Sequence, residues 1–317
     1  MQNLLYSINI VLPIVLVGVL GFFLYRWGRL GKGFLETASW FAFSIGFPFS
    51  IFMNLQEHAV RDAFDGRLAL FITLSIALCT GICIAIVPRF IKDRAKAAST
   101  VQAMTRNNCL LQGLSLLAIM YGPDNITNGA IMLPFAIGMN NIAATVIFVA
   151  LVPSQRASGK NAVLSSVTAL AKNPLIISCA SGLLFSALGL RLPAPLADAM
   201  TSVGRTATPL ALLTLGAGFK LSDFKSGLRL SLLISFVRLI AMPGLVTFVA
   251  VWLGFRGNAL GSIFLFSGSA SAAAGGIMAR SMGGDVVVAD QAVAVSTVLS
   301  AFTLILGIFI LKSLALI

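Results

Sequence analysis

Two short stretches concentrate polar chemistry in an otherwise apolar chain. The first is Asn107-Asn108-Cys109-Leu110-Leu111-Gln112-Gly113-Leu114-Ser115, and the second is Gly268-Ser269-Ala270-Ser271-Ala272-Ala273-Ala274-Gly275-Gly276. Amides and hydroxyls both donate and accept hydrogen bonds, so these stretches suit a small polar ligand held by side chain and backbone together. Asn140 and Asn141 add two amides in another apolar run, and Arg205 and Arg238 each lie inside one. A charge at the bilayer centre costs about 2.5–3.5 kcal/mol on insertion scales, which makes each arginine a candidate for function. Guanidinium can grip a carboxylate through two parallel hydrogen bonds. All ten Asp and Glu, in contrast, map to loops or span ends. A carrier that trades cations generally needs a carboxylate in the membrane, so the polar set points to an anion. Catalysis is not indicated: the sequence has no P-loop, no metal cluster and no His/Asp partner for a nucleophile. His58, the lone histidine, sits in a charged loop and reads as solvated. No cofactor is expected.

Each candidate also has a structural reading. Small residues in the two stretches serve close helix packing in membranes. Asn140 and Asn141 can bond neighbouring helices. Arg205 can snorkel to the outer interface, and Arg238 can bond helix-end carbonyls or a neighbouring amide. From sequence alone both readings stay open.

The elements that must position these residues follow from composition. Of 317 residues, 58% are apolar and 10% charged, with a mean hydropathy of +0.98. A soluble globule carries about 25% charge to face water. The chain is therefore a polytopic membrane protein, which excludes a soluble enzyme, a disordered tail and a secreted disulfide scaffold. Its net charge of +12 reads as basic cytoplasmic loops rather than a nucleic-acid face, because the basic residues punctuate apolar runs. Cys79, Cys83, Cys109 and Cys179 lie in apolar stretches and read as packing residues.

Ten helical spans fit, near residues 4–25, 35–55, 68–88, 103–121, 128–152, 173–190, 196–219, 227–253, 258–279 and 287–311; the first is too long for a signal peptide. The loops after spans 1, 3, 5 and 7 are basic, through Arg26 and Arg29, through Arg89, Lys92, Arg94, Lys96 and Arg106, through Arg156, Lys160 and Lys172, and through Lys220, Lys225 and Arg229. The opposite loops are near neutral. Basic loops face the cytoplasm, so both termini are expected outside. The loop after span 9, with Arg280, Asp285 and Asp290, departs from the pattern.

The chain also matches itself at an offset of 161 residues. Pro13 falls on Pro174, Pro48 on Pro209, and Tyr121-Gly122-Pro123-Asp124 on Met282-Gly283-Gly284-Asp285. Spans 1–5 then correspond to spans 6–10, giving repeats over 1–155 and 156–317. An odd number of spans per repeat inverts the second against the first, as in many secondary transporters, whose sites lie near the midplane where matching helices break. Here the matched pair is spans 4 and 9.

Against this background the sequence resembles the auxin efflux carrier family, over nearly its whole length. The resemblance rests on Met278-Ala279-Arg280-Ser281-Met282-Gly283-Gly284-Asp285 followed by Ser296-Thr297-Val298-Leu299-Ser300. It rests also on Phe47-Pro48-Phe49-Ser50-Ile51-Phe52, on Thr208-Pro209-Leu210-Ala211-Leu212 through Gly216-Ala217-Gly218, and on Asn108 through Tyr121-Gly122. It implies a scaffold of spans 1, 2, 6 and 7, a transport domain of spans 3–5 and 8–10, and broken helices 4 and 9 crossing in an X. It implies a small carboxylate substrate, auxin-like or a dicarboxylate, and a homodimer through the scaffold. The short stretch between spans 5 and 6 is similar to bacterial members, so the resemblance implies a bacterial inner membrane. The family usually has proline at the crossing. Here Ser115 stands at the fourth-span position and Ala270-Ser271 near the ninth-span one, so the break must come from Gly113, Gly275 and Gly276.

The expectation is a secondary transporter of a small organic anion working by alternating access, elevator-like or rocking, driven by a proton gradient or the membrane potential. Its expected contacts are Asn107, Asn108, Gln112, Ser269 and Ser271, with charge from Arg205 or Arg238. A substrate-sensing or channel-like protein on the same fold is the main competitor. An intramembrane enzyme needs an acid/base or metal constellation that the spans lack.

Overall fold

A computed structural model describes residues 2–57, 66–122, 125–152, 174–218, 228–272 and 274–317. Among them every regular element is helical, and six helices are long and apolar enough to cross a membrane. These are α1 (Gln2–Arg26), α2 (Lys32–Gln56), α3 (Gly66–Phe90), α5 (Thr127–Leu151), α8 (Leu228–Trp252) and α10 (Val286–Ser313). Between them lie α6 (Pro174–Ala187) and α7 (Ala194–Ala217). Two further segments are each interrupted. One consists of α4a (Arg94–Thr105) and α4b (Cys109–Tyr121), the other of α9a (Gly257–Gly268) and α9b (Ala274–Ser281). Helix thus occupies each stretch where a span is expected. His58, Asp124, the loop with Arg156, Lys160 and Lys172, and Lys220 to Lys225 lie outside the described residues.

The helices form because lipid offers no hydrogen-bond partner, so backbone groups must pair within each segment. Local departures are few. α2, α4b and α8 each contain a π-helical turn, Ala42–Gly46, Cys109–Leu114 and Val237–Ala241. Such turns aim a side chain off the regular helical face and frequently sit at functional places. The turn in α8 carries Arg238.

The packing of the helices can be followed as two sets. α1 lies against α7 through Gly18 and Gly216, where a Cβ on Gly216 would collide with the Gly18 carbonyl oxygen. α7 meets α2 at Gly204 and Ser50, and α2 meets α6 at Gly182, against Phe52 and Leu55. In the second set, α3 packs on α5 and α4a, α4a on α5 and α10, α8 on α9a and α10, and α9b on α10. Between the sets, α1 packs extensively on α10, and α5 meets α2 and α6.

Two pairs of helix ends 161 residues apart share their backbone geometry. Gly28 and Gly189 both have positive φ, +70° and +65°. Around the first, Gly28 N donates to Tyr25 O and Arg29 N to Leu24 O. Around the second, Gly189 N donates to Ser186 O and Leu190 N to Phe185 O. Both are Schellman ends with the same bonding pattern, and each needs a left-handed residue that glycine adopts without steric cost. Gly122 and Gly283, also 161 apart, share positive φ as well, +88° and +73°.

α4a differs from the sequence expectation. The fourth span was expected to begin near residue 103, with Arg94 to Arg106 as loop. Instead Arg94–Thr105 is helix, N-capped by Asp93, whose carboxylate accepts from Lys96 N at 3.1 Å. From Ala97 to Thr105 every residue is buried, though Ser99, Thr100, Gln102 and Thr105 are polar. A helix wrapped by protein need not be lipophilic, so hydropathy overlooks it.

Candidate functional site

The two interruptions meet. Asn107 and Ser271 pair as an isolated antiparallel bridge. Asn108 N donates to Ala270 O at 2.9 Å, and Ala272 N to Arg106 O at 3.1 Å. These bonds satisfy backbone groups that the broken helices leave open. Two helix C-termini, of α4a and α9a, and two N-termini, of α4b and α9b, converge there. The breaks fall at Arg106–Asn108 and from Ser269, so neither is centred on the glycines expected to cause it. Gly113 lies inside α4b, packed on Phe266 and Leu265, and Gly275 in the first turn of α9b. The physical cause is exchange: each strand-like stretch finds its partner in the other, which substitutes for helical bonds without proline.

Most of the expected site residues gather at this junction, and their bonds can be followed one by one. Asn140 Nδ2 donates to Asn107 Oδ1 at 2.7 Å. Gln112 accepts from Ala270 N through Oε1 at 2.7 Å and donates from Nε2 to Ser300 Oγ, also at 2.7 Å. Ser271 N donates to Ser296 Oγ at 3.0 Å, and Ser271 Oγ donates to Ala103 O at 2.7 Å. Ser269 Oγ turns back onto Phe266 O at 2.9 Å. Ser296 and Ser300 are four residues apart on α10 and so present one face to the junction. They had entered only through the family resemblance.

Arg238 is 3% exposed. Its Nε donates to Ser269 O at 3.0 Å and its Nη2 to Ser267 O at 2.5 Å. It caps the C-terminus of α9a, where unsatisfied carbonyls and the negative end of the helix dipole favour a cation. The carbonyl-binding reading of Arg238 therefore describes its geometry. It lies beside the junction, and both of these bonds go to backbone.

Arg106 is the residue that sequence reasoning missed. Counted with the basic loop after span 3, it instead stands at the first interruption, partly buried. Nη2 donates to Asn141 Oδ1 at 2.8 Å, and Nη1 lies 3.4 Å from Asn140 O and 2.9 Å from Met278 Sδ. Its immediate neighbours Asn107 and Asn108 were a usable signal. Gln102, one turn earlier and 1% exposed, is a second omission. Among the described residues neither of its amide atoms has a hydrogen-bond partner, and its Oε1 faces Gly275. Asn140 Oδ1 and Ser115 Oγ are likewise buried without a partner there. Buried polar groups left this way are ones a ligand or water can engage.

Arg205 and Ser115 are not drawn into the junction. Ser115 begins the regular part of α4b and is fully buried. Arg205 lines a separate cavity of about 310 Å³ between α2, α7 and α4b, with Ser50, Asn54, Thr208 and Leu114 among the walls. Thr127 Oγ1 donates to Asn54 Oδ1 at 2.9 Å at its edge.

No individual curated protein matches the chain. A family model described as membrane transport protein does match, over residues 6–308. Interrupted apolar helices that meet around buried amides and arginine are thus found in a chain that belongs, along nearly all its length, to the membrane transport protein family, the auxin efflux carrier family.

Proposed function

We propose that this transport protein is a secondary carrier of a small organic anion, a mono- or dicarboxylate, with its site at the junction of the two interruptions. One observation carries the reading. Among the described residues Arg106 is held by an amide oxygen, a carbonyl and a thioether, and Arg238 by two carbonyls, all neutral. A guanidinium taken out of water without a counter-charge is costly, so the junction gains most from a negative guest. The N-termini of α4b and α9b add partial positive charge on the same side of the balance. Asn107, Asn108, Gln102 and Asn140 supply the neutral contacts.

Alternating access fits the two packed sets: α1, α2, α6 and α7 form the frame, and the junction-bearing helices move against it. The repeats 1–155 and 156–317, inverted with respect to one another, give each set corresponding halves, and the twin Schellman ends at Gly28 and Gly189 support that duplication. The cavity with Arg205 is the approach to the site from one face, and its guanidinium attracts the anion toward it. A proton gradient or the membrane potential drives the cycle.

Counterflow in proteoliposomes tests this. Vesicles are loaded with one unlabelled acid, and the same acid is offered labelled outside. The expected result is transient accumulation with at least one acid, lost in Asn108→Leu at unchanged yield of folded protein. Absence of accumulation for every mono- and dicarboxylate from folded protein would overturn the anion assignment. Wild-type counterflow in Asn108→Leu would overturn the site.

A further inference from the structure

The half-helix α4b separates two cavities of opposite character. Leu114 and Ala118, four residues apart, face the cavity with Arg205. Gln112 and Leu116, also four apart, face a groove of about 480 Å³ between α1 and α7 on one side and α4b and α10 on the other. Val15, Phe22, Leu215 and Ala301 form its walls. Phe23, Val298 and Phe302 stand at its mouth and are 44%, 41% and 68% exposed, so the groove continues the surface that faces lipid.

Nothing in the groove asks for a polar guest. Both ends of the Gln112 amide are engaged, by Ala270 N and Ser300 Oγ. Thr297 Oγ1 donates to Val293 O at 2.7 Å. Water needs two or more polar partners to settle in a cavity, and here it would find none at the groove's centre. Vacuum is no better, because the lining atoms forfeit their dispersion contacts. A transmembrane helix does not fit either: about 10 Å wide with a 5.4 Å pitch, a single turn fills roughly 420 Å³, nearly the whole groove. Flexible hydrocarbon does fit. At about 30 Å³ for a group the size of water or methylene, the groove takes roughly sixteen of them, the scale of one chain.

We infer that an acyl chain of a membrane phospholipid occupies this groove, wedged between α1/α7 and α4b/α10 with its end against Gln112. It seals the junction from behind and forms part of the surface along which the two helix sets meet.

Photolabelling of the full chain in phosphatidylcholine vesicles decides the matter. A fraction of the lipid carries a diazirine near the end of one acyl chain, and labelled residues are mapped by peptide mass spectrometry after irradiation. The expected result is labelling of Leu215 and Ala301 in the groove as well as of outward-facing Leu74 and Leu78. Ala301→Trp fills the groove, so labelling of Leu215 falls by about an order of magnitude as the chain loses its contacts, while Leu74 is unchanged. Val15→Trp fills it from the opposite wall and gives the same result. Wild-type protein with Leu74 labelled and Leu215 bare would overturn the inference. Labelling of Leu215 that survives a filling substitution would overturn it equally.

Discussion

The two interruptions meet as equals in backbone terms but differ in what they carry. The first, Arg106–Asn108, is built of long polar side chains that reach outward to Asn140 and Asn141 on α5. The second, from Ser269, is built of serine and alanine; apart from the Ser271 hydroxyl on Ala103 O, it receives its polar contacts from elsewhere, from Gln112, Ser296 and Arg238. A break that brings its own side chains can engage a ligand with them. A break that is held by others offers mainly backbone and a fixed position. In the proposed site the first interruption is accordingly the chemical half and the second the anchored half.

That division is open to direct attack, beginning with the strongest anchor. Arg238→Leu leaves the carbonyls of Ser267 and Ser269 without a donor in a buried place. At about 1–3 kcal/mol for each buried acceptor left unmet, it should cost about 2–6 kcal/mol of stability, seen as a large fall in melting temperature of detergent-solubilised protein. Stability near wild type would show that α9a does not depend on its cap. Arg106→Gln should do the opposite, lowering uptake by about a hundredfold, equivalent to roughly 2.7 kcal/mol, while moving stability by no more than about 1 kcal/mol. If Arg106→Gln instead unfolds the protein with uptake per folded molecule intact, the two halves have been assigned the wrong way round.

Gln112→Leu probes the link between them. It removes one bond to each of Ala270 and Ser300, for about 1–3 kcal/mol of stability in the melting curve. Retention of full stability would mean that the second break holds itself. The smallest effects separate partners of equal size. Ser296→Ala should cost about 1 kcal/mol with uptake near normal, whereas Asn141→Ala should lower uptake about tenfold at similar stability cost. Equal uptake in the two variants would erase the distinction.

Much of the fold was legible because lipid imposes one rule on long segments, and runs such as Gly66–Phe90 and Val286–Ser313 obey it plainly. The polar stretches around Asn107 and Ser269 stood out for the same reason in reverse. α4a was not legible. From Ala97 to Thr105 it is shielded by protein rather than lipid, so its serines, threonines and glutamine gave it the hydropathy of a loop. Arg106 was misplaced with it, because charge counting assigns a loop to every arginine at a span boundary. The break positions were not legible either. Without proline they are set by backbone pairing between residues more than 160 apart, which no local signal encodes.

Arg238 also constrains how the protein is made. It leaves the ribosome 29 and 31 residues ahead of the two carbonyls it binds. When α8 first enters the membrane, its guanidinium has no acceptor there, a burden of about 2.5–3.5 kcal/mol at the helix centre. Release comes once α9a has been synthesised and laid alongside. α8 and α9a are therefore expected to insert as one unit, a helical hairpin that partitions into the bilayer together and whose assembly would precede closure of the junction with α4a and α4b. Biogenesis would then follow an order written into a single side chain, with the second half of the molecule completing its own arginine bond before it accepts the first.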